Sequence, residues 1–582
     1  MQLVGAAILI QALIDQGVDT IFGYPGGAVL PIYDELFKQN KLKHILVRHE
    51  QAAVHAAEAY ARSTGKVGVV LVTSGPGATN TITGLADALM DSIPLVCITG
   101  QVARHLIGTD AFQEADVVGL TRPCTKHNYL VKEVDELGNT IHEAFHIART
   151  GRPGPVVIDI PKDLQLEPGN YRGLTKASRQ SYKPKSKGDE AAIKKAVALI
   201  AKAKKPVFYV GGGVINAGDK ACKLLTKFVQ MTGYPITSTL MGLGAYPSSD
   251  EQFLGMLGMH GTYEANMTMA RCDVMINIGA RFDDRVTGRL DKFSQNSKKI
   301  HVDIDPSSIN KNVIVDIPII GDAAQVLERM IDIWKENKYV VDDTSLEKWW
   351  EQVNKWRNKD SLGYKQKGKI AKPQFVLDHL NALIKDKDAY VSTDVGQHQM
   401  WSAQYLKFEE PHRWLTSGGL GTMGYGLPAA VGAQIAHPKS LVVCVSGEAS
   451  IMMNIQELAT IVQYRLPVKL LILNNQYMGM VRQWQELFHG NRYSESYMDT
   501  LPDFVALANA FGIEGLRCTS PEEVDATLKK MVKINGPVVV DMRIDPNENV
   551  YPMIPAGAGH DEMRLKPDDE VKVDEKEARM QV

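Results

Sequence analysis

The sequence lacks the features that define several large classes of protein. Its formal net charge is only −2, so it has no excess charge with which to bind nucleic acid or an anionic membrane. Its six cysteines form no C-x-x-C pair, which favours buried thiols in a reducing compartment over disulfides or zinc. No apolar run reaches the roughly 18 residues that a membrane span requires. We therefore expect a globular cytoplasmic protein with no membrane or nucleic-acid partner.

Length and polar segments divide the chain into three predicted domains. A chain of 582 residues exceeds what a single hydrophobic core supports. Residues 173–190 and 337–372 combine charge with few apolar positions, so both are predicted to be linkers. The predicted domains therefore cover the following ranges: 1–172, 190–336 and 373–550. A charged tail at 551–582 is predicted to be mobile or draped over the surface.

Strand-like and helix-like patterns alternate in all three domains. In the first, an apolar strand closing at Val72 leads into a small-residue loop, a helix and a second strand. The segment from Val445 to Pro467 repeats this plan at the same spacing, which indicates that the first and third domains are related. The fold class is therefore predicted to be α/β, with three doubly wound parallel-sheet domains.

The middle domain has a nucleotide-binding pattern. An apolar strand runs into Gly211, Gly212 and Gly213, and a later predicted strand, Ile300 to Ile304, carries Asp303. The pattern is not a G-x-G-x-x-G fingerprint, so a cofactor site and a purely structural Rossmann-like domain both stay open on the residues alone.

Two distant segments together suggest thiamine diphosphate chemistry. Glu50 lies at a strand-to-helix turn, where a lone glutamate is more often a helix cap. Far along the chain, Glu448 follows an apolar strand within a small-residue loop, and Asn475 follows the next strand. Such a loop lets backbone amides approach phosphate, and a carboxylate with an amide oxygen suits Mg²⁺. Only the combination favours a functional role for Glu50.

Motifs along nearly the whole chain carry a family resemblance. They include RHEQAAVHAAEAYAR, TSGPGATN, GRPGPVVIDIPKD, GARFDDRVTG, DVGQHQMW, GLGTMGYGLPAA and NNQYMGMVRQWQ. On these motifs the chain resembles the catalytic large subunit of the acetohydroxyacid synthases, also called acetolactate synthases. The resemblance implies decarboxylation of pyruvate on thiamine diphosphate. The hydroxyethyl carbanion is then ligated to pyruvate or 2-oxobutyrate, the first common step of valine, leucine and isoleucine synthesis.

The resemblance also implies residue roles and domain roles. The first domain would bind the pyrimidine of the cofactor, the central domain FAD, and the third domain diphosphate and Mg²⁺. The implied catalytic and substrate-channel residues are Glu50, Gln113, Lys162, Arg285, Met423 and Trp484. The implied thiamine diphosphate contacts are Gly396, Gln397, His398, Gly421, Met423, Gly447, Ala449 and Ser450, and the metal ligands are Glu448, Asn475 and Tyr477. The expected FAD contacts are Arg152, Gly211, Gly212, Gly213, His260, Arg281, Asp303 and Asp322.

Three of these residues have simpler readings. Without the resemblance, Arg285 would be a surface ion pair with a neighbouring aspartate, and Trp484 and Met423 would be core residues. In the resemblance, Arg285 binds the carboxylate of the second oxo acid and Trp484 forms its apolar wall.

The metal segment departs from the usual Gly-Asp-Gly-Ser of the family. Here Glu448 and Ala449 replace aspartate and glycine. Glutamate is one methylene longer, whereas Mg²⁺ requires near-octahedral oxygens at about 2.0–2.1 Å. Alanine would cost roughly 1–2 kcal/mol if its backbone were left-handed and little otherwise. Mg²⁺ remains the expected ion.

Alternatives to this function stay open. Another thiamine carboligase, a pyruvate oxidase with redox-active flavin, or a catalytically silent scaffold paralogue would share many of these residues. The resemblance further implies a homodimer or tetramer and leaves a small regulatory subunit open.

Overall fold

A computed structural model describes residues 1–174, 182–567 and 569, and three six-stranded parallel sheets organise this part of the chain. Each sheet is flanked by helices, which confirms the predicted α/β class. Central strands such as Gly68–Val72 and Val274–Ile278 are buried along their whole length, as expected for parallel sheets covered on both faces.

The first part of the chain forms one sheet and a small antiparallel pair. Its strands are β1 (Gln2–Val4), β2 (Thr20–Tyr24), β3 (Lys43–Leu46), β4 (Gly68–Val72), β5 (Leu95–Gln101), β6 (His127–Leu130), β7 (Pro155–Pro161) and β8 (Pro168–Asn170). Its α-helices are α1 (Gly5–Asp15), α2 (Leu30–Phe37), α3 (Glu50–Thr64), α4 (Pro76–Thr79), α5 (Ile82–Asp91), α6 (Val117–Thr121), α7 (Val134–Arg149) and α8 (Lys162–Leu166). Strands β1 and β8 pair antiparallel beside the main sheet.

The middle part forms the second sheet. Its strands are β9 (Pro206–Val210), β10 (Ile236–Ser238), β11 (Phe253–Met256), β12 (Val274–Ile278), β13 (Lys298–Asp303) and β14 (Ile317–Ile320). Its α-helices are α9 (Glu190–Ile200), α10 (Gly212–Asn216), α11 (Asp219–Thr232), α12 (Tyr263–Arg271), α13 (Asp284–Thr287), α14 (Ala323–Glu336) and α15 (Asp343–Arg357).

The last part forms the third sheet. Its strands are β15 (Ala389–Thr393), β16 (Trp414–Leu415), β17 (Leu441–Gly447), β18 (Lys469–Asn474), β19 (Glu514–Cys518) and β20 (Val538–Arg543). Its α-helices are α16 (Pro373–Ile384), α17 (Gln397–Tyr405), α18 (Gly426–Ala436), α19 (Glu448–Ile451), α20 (Leu458–Gln463), α21 (Gly479–Phe488), α22 (Phe504–Ala510) and α23 (Pro521–Lys533).

Strand order relates the first and third sheets and sets the middle one apart. The first sheet runs β3-β2-β4-β5-β7-β6 and the third runs β16-β15-β17-β18-β20-β19, which is the same path in chain order. The middle sheet runs β11-β10-β9-β12-β13-β14, the Rossmann order. The predicted kinship of the outer domains therefore extends to their full topology.

Two sequence expectations fail in part. Residues 337–372 were expected to be a linker, but α15 lies within them, and its Trp349, Val353 and Trp356 are buried against the middle sheet. The apolar residues of this helix are widely spaced among charged residues, so the composition of the segment did not reveal its buried face. In the predicted tail, residues 551–567 are not simply draped over the surface, because Met553, Ile554 and Met563 are buried there. Residues 175–181, 568 and 570–582 lie outside the described part of the chain.

The cysteines are buried thiols, as predicted, since all six are buried and none forms a disulfide. In the part of the chain that the structure describes, none of the helices combines the length and apolar character needed to cross a bilayer.

Helices α3 and α18 join the outer domains at very close range. A Cβ added to Gly432 of α18 would lie 1.9 Å from the carbonyl oxygen of Ala56 in α3. Only glycine permits this approach, because neither helix backbone can yield without moving its sheet.

We expect Gly432→Ala to destabilise the protein by about 1–3 kcal/mol, because the new methyl group overpacks the α3–α18 contact. Denaturant unfolding followed by circular dichroism measures this. Gly27→Ala is the matched control, since a Cβ there would meet nothing within 4 Å. Equal stability of the two variants would contradict the close contact.

Candidate active site

The residues predicted to bind metal meet at the carboxyl edge of the third sheet. Glu448 begins α19 directly after β17, and Asn475 and Tyr477 follow β18. Glu448 is 1% exposed, and among the described residues its Oε1 has no hydrogen-bond partner. Asn475 Oδ1 accepts a hydrogen bond from the backbone N–H of Tyr477 at 3.1 Å.

The environment of Glu448 suits a hard cation. Burial raises the pKa of Glu448 to about 7, against the opposing effect of nearby backbone N–H groups, including those of Asn475 and Tyr477. A buried carboxylate oxygen without a partner, beside an amide oxygen, is a donor set that Mg²⁺ prefers. A bound cation would hold this carboxyl in its ionised form. The residues present therefore fit Mg²⁺.

Ala449 causes no backbone strain. It lies inside α19, and it is not among the non-glycine residues with positive φ in the described chain. The replacement of the usual glycine is therefore tolerated, and the longer side chain of Glu448 is the remaining difference.

Glycines and a buried imidazole form the predicted diphosphate site. Gly396 has φ 149°, and Cβ atoms added to Gly396 or Gly447 would each lie 2.9 Å from ring atoms of His398. Burial lowers the pKa of His398 to about 3, so its ring is neutral, and its Nε2 has no partner among the described residues. The glycines leave the backbone accessible beside a ring nitrogen that has no hydrogen-bond partner. This arrangement fits a phosphate group.

Side-chain amides connect the loops of this site. Gln397 Oε1 accepts from Asn475 Nδ2 at 3.3 Å, and Gln397 Nε2 donates to Gln483 Oε1 at 2.9 Å. The Ser450 hydroxyl lies 3.3 Å from the backbone nitrogen of Gly447. The loops after β15 and β18 are thus linked directly, and the loop after β17 is braced by its own serine.

A cleft of about 1850 Å³ lies where the three domains meet, and it is lined by residues of all three. This volume exceeds the roughly 300–1,000 Å³ of an ordinary ligand pocket, so the cleft can accept a dinucleotide. All of the residues predicted to contact FAD line it, together with part of the predicted catalytic set: Arg152, Gly211, Gly212, Gly213, His260, Arg281, Asp303, Asp322, Arg285, Gly396, Gly421, Met423 and Trp484.

The floor of this cleft is built of glycine. A Cβ on Gly211 would lie 2.4 Å from the carbonyl oxygen of Gly279, and a Cβ on Gly213 would lie 2.7 Å from the Cα of Gly279. The loops after β9 and β12 therefore pack backbone to backbone, which leaves open space above them. This cradle fits FAD.

Other predicted flavin residues already have protein partners. Asp322 Oδ1 caps α14 by accepting from the backbone of Gln325 at 3.1 Å. Arg152 donates to Ser92 Oγ at 2.8 Å. Burial lowers the pKa of His260 to about 4, so its ring is neutral. These contacts orient the side chains at the cleft.

Arg285 and Trp484 both line the cleft, but the exposed Arg285 has more room to move than the buried Trp484. Arg285 is half-exposed, and its Nε lies 3.6 Å from Asp284 Oδ2. The ion pair with a neighbouring aspartate, the simpler interpretation of Arg285, is therefore also present. Trp484 is 8% exposed, and its ring packs against Phe488 with the ring centroids 4.8 Å apart and the planes tilted by 35°. The guanidinium can move to a ligand, whereas the indole is a fixed wall.

Glu50 lies elsewhere in the chain, at the carboxyl edge of the first sheet. Its Oε2 accepts from Asn80 Nδ2 at 2.9 Å, and its Oε1 is 3.5 Å from a Cβ built on Gly77. Glu50, Gln113 and Lys162 are not among the residues that line the cleft. Gln113 has φ 60° and packs on Gly75, and Lys162 begins α8 at an exposed position. One chain therefore separates the predicted residues into two groups.

Sequence reasoning missed several supporting residues. Asp394 is buried, and its Oδ1 accepts from the backbone of Gly424, next to Met423, at 2.6 Å. Burial raises the pKa of Asp394 to about 6. Its position at the end of β15, two residues before Gly396, was an available signal. Gln483 carried no signal, because it is distant in sequence from the loop it supports.

Comparisons with known proteins agree with this geometry. Three family models match: "Thiamine pyrophosphate enzyme, N-terminal TPP binding domain" at residues 3–120, the "central domain" at 193–330, and the "C-terminal TPP binding domain" at 394–542. The relatives include the acetolactate synthase isozyme 3 large subunit of Escherichia coli, 52% identical over 96% of this chain and 98% of the relative. The acetolactate synthase large subunits of Haemophilus influenzae (50% identical, 98% and 99% covered) and Porphyra purpurea (48%, 96% and 95%) are also similar. This chain therefore belongs to the acetolactate synthase large subunits, a family of thiamine pyrophosphate-dependent carboligases whose cofactors are thiamine pyrophosphate, Mg²⁺ and FAD.

Proposed function

We propose that this chain condenses pyruvate with a second 2-oxo acid, pyruvate or 2-oxobutyrate, at a site shared by two copies of the chain. One observation carries the proposal: Glu448 is buried beside Asn475 with its Oε1 unpaired among the described residues, and Gly396, in the same group of loops, lines the cleft that also contains Arg285 and Trp484. Gly396 therefore connects the candidate cation site with the candidate oxo-acid site.

The third domain would hold the charged end of the cofactor. Glu448, Asn475 and the carbonyl of Tyr477 would bind Mg²⁺, while Gly396, Gln397, His398, Gly447, Ala449 and Ser450 would surround the diphosphate. Thiamine pyrophosphate, when bound, supplies the carbon nucleophile and the electron sink for decarboxylation. Met423, half-buried in the cleft, would support its rings from below.

Glu50 would set the protonation of the pyrimidine ring. Because Asn80 already donates to Oε2, Oε1 is the oxygen available to a ring nitrogen. A carboxyl at that atom can exchange one proton with the ring, which is the general acid–base step that the carbon nucleophile requires.

Arg285 and Trp484 would select the acceptor. The weak, exposed contact of Arg285 with Asp284 contributes little, so the guanidinium can turn to bind a carboxylate bidentately. Trp484 would enclose the short alkyl group. His260 is neutral in the same cleft, so it does not supply a proton in competition with the second oxo acid. Gln113 and Lys162 would line the entry from the first domain.

A second copy of the chain would complete the site. Glu50 is outside the cleft of its own chain, and exposed apolar side chains adjoin both groups of residues: Phe112 (89% exposed) beside Gln113, Leu420 (45%) beside Gly421, and Met453 (54%) after Ser450. We therefore infer a homodimer as the minimum assembly, in which Glu50 of one copy faces the cleft of the other. A tetramer, a small regulatory subunit and a cytoplasmic location belong to the same proposal.

The direct test supplies pyruvate with and without 2-oxobutyrate, thiamine pyrophosphate, Mg²⁺ and FAD, and identifies the products. We expect 2-acetolactate, and 2-aceto-2-hydroxybutyrate when both acids are present. Stoichiometric bleaching of the flavin under anaerobic turnover would instead indicate an oxidase. Complete absence of product, with no cofactor bound, would indicate a silent scaffold.

Glu50→Gln should abolish proton exchange at the thiazolium carbon while cofactor binding persists, because an amide cannot exchange the proton. Hydrogen–deuterium exchange of bound cofactor measures this. Glu136→Gln is the matched control, since Glu136 is also a first-turn glutamate but is exposed on α7. Unchanged exchange in Glu50→Gln would refute the role.

Trp484→Leu should reduce the preference for 2-oxobutyrate over pyruvate by about tenfold, because the apolar wall around the extra methylene is lost. Competition between the two acids gives the product ratio. Phe488→Leu disturbs the packing on Trp484 without lining the cleft and serves as control. An equal change in both variants would mean that packing alone is responsible.

Glu448→Asp should lower the Mg²⁺ concentration needed for half-maximal binding of the cofactor, because the shorter carboxylate relieves a strained metal geometry. Mg²⁺ titration followed by protein fluorescence measures this, with the exposed Glu347→Asp as control. An unaltered titration would show that Glu448 is well accommodated or is not a ligand.

A further inference from the structure

A group of ionisable side chains, three buried and two half-buried, lies at the junction of the first and third domains. We call it the carboxyl cluster: Glu58, Asp87 and Asp91, with His55 and Arg62. His55, Glu58 and Arg62 lie on one face of α3, and Asp87 and Asp91 lie one turn apart on α5. His55, Glu58 and Asp87 are at most 2% exposed.

The cluster holds the segment that leads to Met423. Ser417 Oγ donates to Asp87 Oδ1 at 2.7 Å and accepts from the backbone of Thr422 at 2.8 Å. The backbone N–H groups of Gly418 and Gly419 donate to Asp91 at 2.9 and 2.6 Å. Thr422 directly precedes Met423.

Arg62 secures the other end of the same segment. Its guanidinium donates to the carbonyl oxygens of Trp414 and Thr416. The 414–422 segment is therefore fastened at several points to α3, whose first residue is Glu50, and to α5. None of these contacts lies within the diphosphate or metal site.

The cluster has more acid than its surroundings can neutralise. It contains three carboxyl groups and one guanidinium, and one oxygen of each buried acid, Glu58 Oε1 and Asp87 Oδ2, has no hydrogen-bond partner among the described residues. Ionisation of both acids would therefore place charge on buried oxygens that lack a hydrogen bond, which is unfavourable. Burial raises the pKa of Glu58 and of Asp87 well above their ordinary values and lowers the pKa of His55. The 3.3 Å contact of His55 with Glu58 is therefore a neutral hydrogen bond.

The charged and titratable groups that act on the cluster come from every element packed around it. They are His55 and Arg62 on α3, Asp87 and Asp91 on α5, Arg281 after β12, Asp394 after β15, and Tyr425 before α18. The acids still outnumber the bases.

We propose that Glu58 and Asp87 are protonated at neutral pH and act as positioning residues for the Met423 segment. Asp87 holds the segment through Ser417, whereas Glu58 acts through His55, whose Nδ1 lies 3.3 Å from Glu58 and 3.8 Å from Asp87. The inference rests on the proposed roles of Met423 and Glu50. In the proposed dimer these two residues of one chain serve different sites, so each cluster links the two sites.

A metal ion is the competing explanation for the same geometry. One ligand atom each of His55, Glu58 and Asp87 lies within 4.8 Å of the others. Two observations favour protons. Arg62 already supplies positive charge, and the three candidate ligand residues are at most 2% exposed, so an ion there would have to give up its water shell.

The first test compares thermal midpoints of the full-length holoenzyme between pH 5 and pH 9. A carboxyl group whose pKa is raised by folding stabilises the fold at low pH and loses that contribution as pH rises through the folded value. Glu58→Gln and Asp87→Asn cannot ionise, so their midpoints should rise relative to wild type by about 2 °C or more across this range. Glu347→Gln, an exposed helical control, should stay parallel to wild type.

The second test separates positioning from mere packing. Glu58→Gln keeps the shape and the donor of a protonated carboxyl, so it should retain most of the turnover rate. Glu58→Ala should lower kcat by about tenfold or more, with little change in KM for pyruvate, because the Met423 segment shifts. Rescue by glutamine but not alanine, together with the pH result, supports the proposal.

Three results would overturn it: parallel pH curves for Glu58→Gln and wild type, equal loss of kcat in the glutamine and alanine variants, or a metal beyond Mg²⁺ that is bound stoichiometrically by wild type and lost in Glu58→Gln. Failure of both neutral variants to fold would also overturn it, since protonated acids tolerate amides. The thermal test needs no turnover, so it is independent of whether the wild-type enzyme forms acetolactate.

Discussion

A parallel sheet delivers the carboxyl ends of its strands to one edge, and the chemistry of this protein depends on that constraint. Glu448 and Asn475 belong to neighbouring strands β17 and β18, so pairing of the sheet brings together side chains that are 27 positions apart. The same rule assembles the glycine floor of the large cleft from the ends of β9 and β12.

Desolvation then shifts the pKa values of the ionisable side chains that are buried at these sites. Glu448 is buried without a counter-charge and calls for a cation, whereas His398 is buried and stays neutral beside a predicted phosphate. At the domain junction, Glu58 and Asp87 are shielded from solvent and Arg62 is the only guanidinium in the cluster, so burial raises the pKa of both carboxyl groups. Desolvation thus underlies both the proposed ion site and the proposed neutral anchor.

The packing of the first domain against the third also fixes the positions of the site residues. Helices α3 and α18 meet through Gly432 at a distance that excludes any side chain, and the carboxyl cluster fastens the neighbouring 414–422 segment. Glu50 nevertheless does not line the cleft of its own chain. This division of the predicted site residues supports the proposed completion of the site by a second copy.

The sequence by itself determined the α/β class and the kinship of the outer domains, because strand periodicity and short motifs are local signals; the metal-site residues that it predicts stay a proposal. It did not reveal α15, whose buried Trp349, Val353 and Trp356 stand among charged residues. It left the backbone of Ala449 undecided until α19 showed a right-handed helix. The contact of Asp87 with Ser417, 330 positions away, had no local signal at all. Only the tertiary structure decided which acids are buried together and that Glu50 is separated from the cleft, because burial and distance depend on how sheets pack and not on neighbours in the chain.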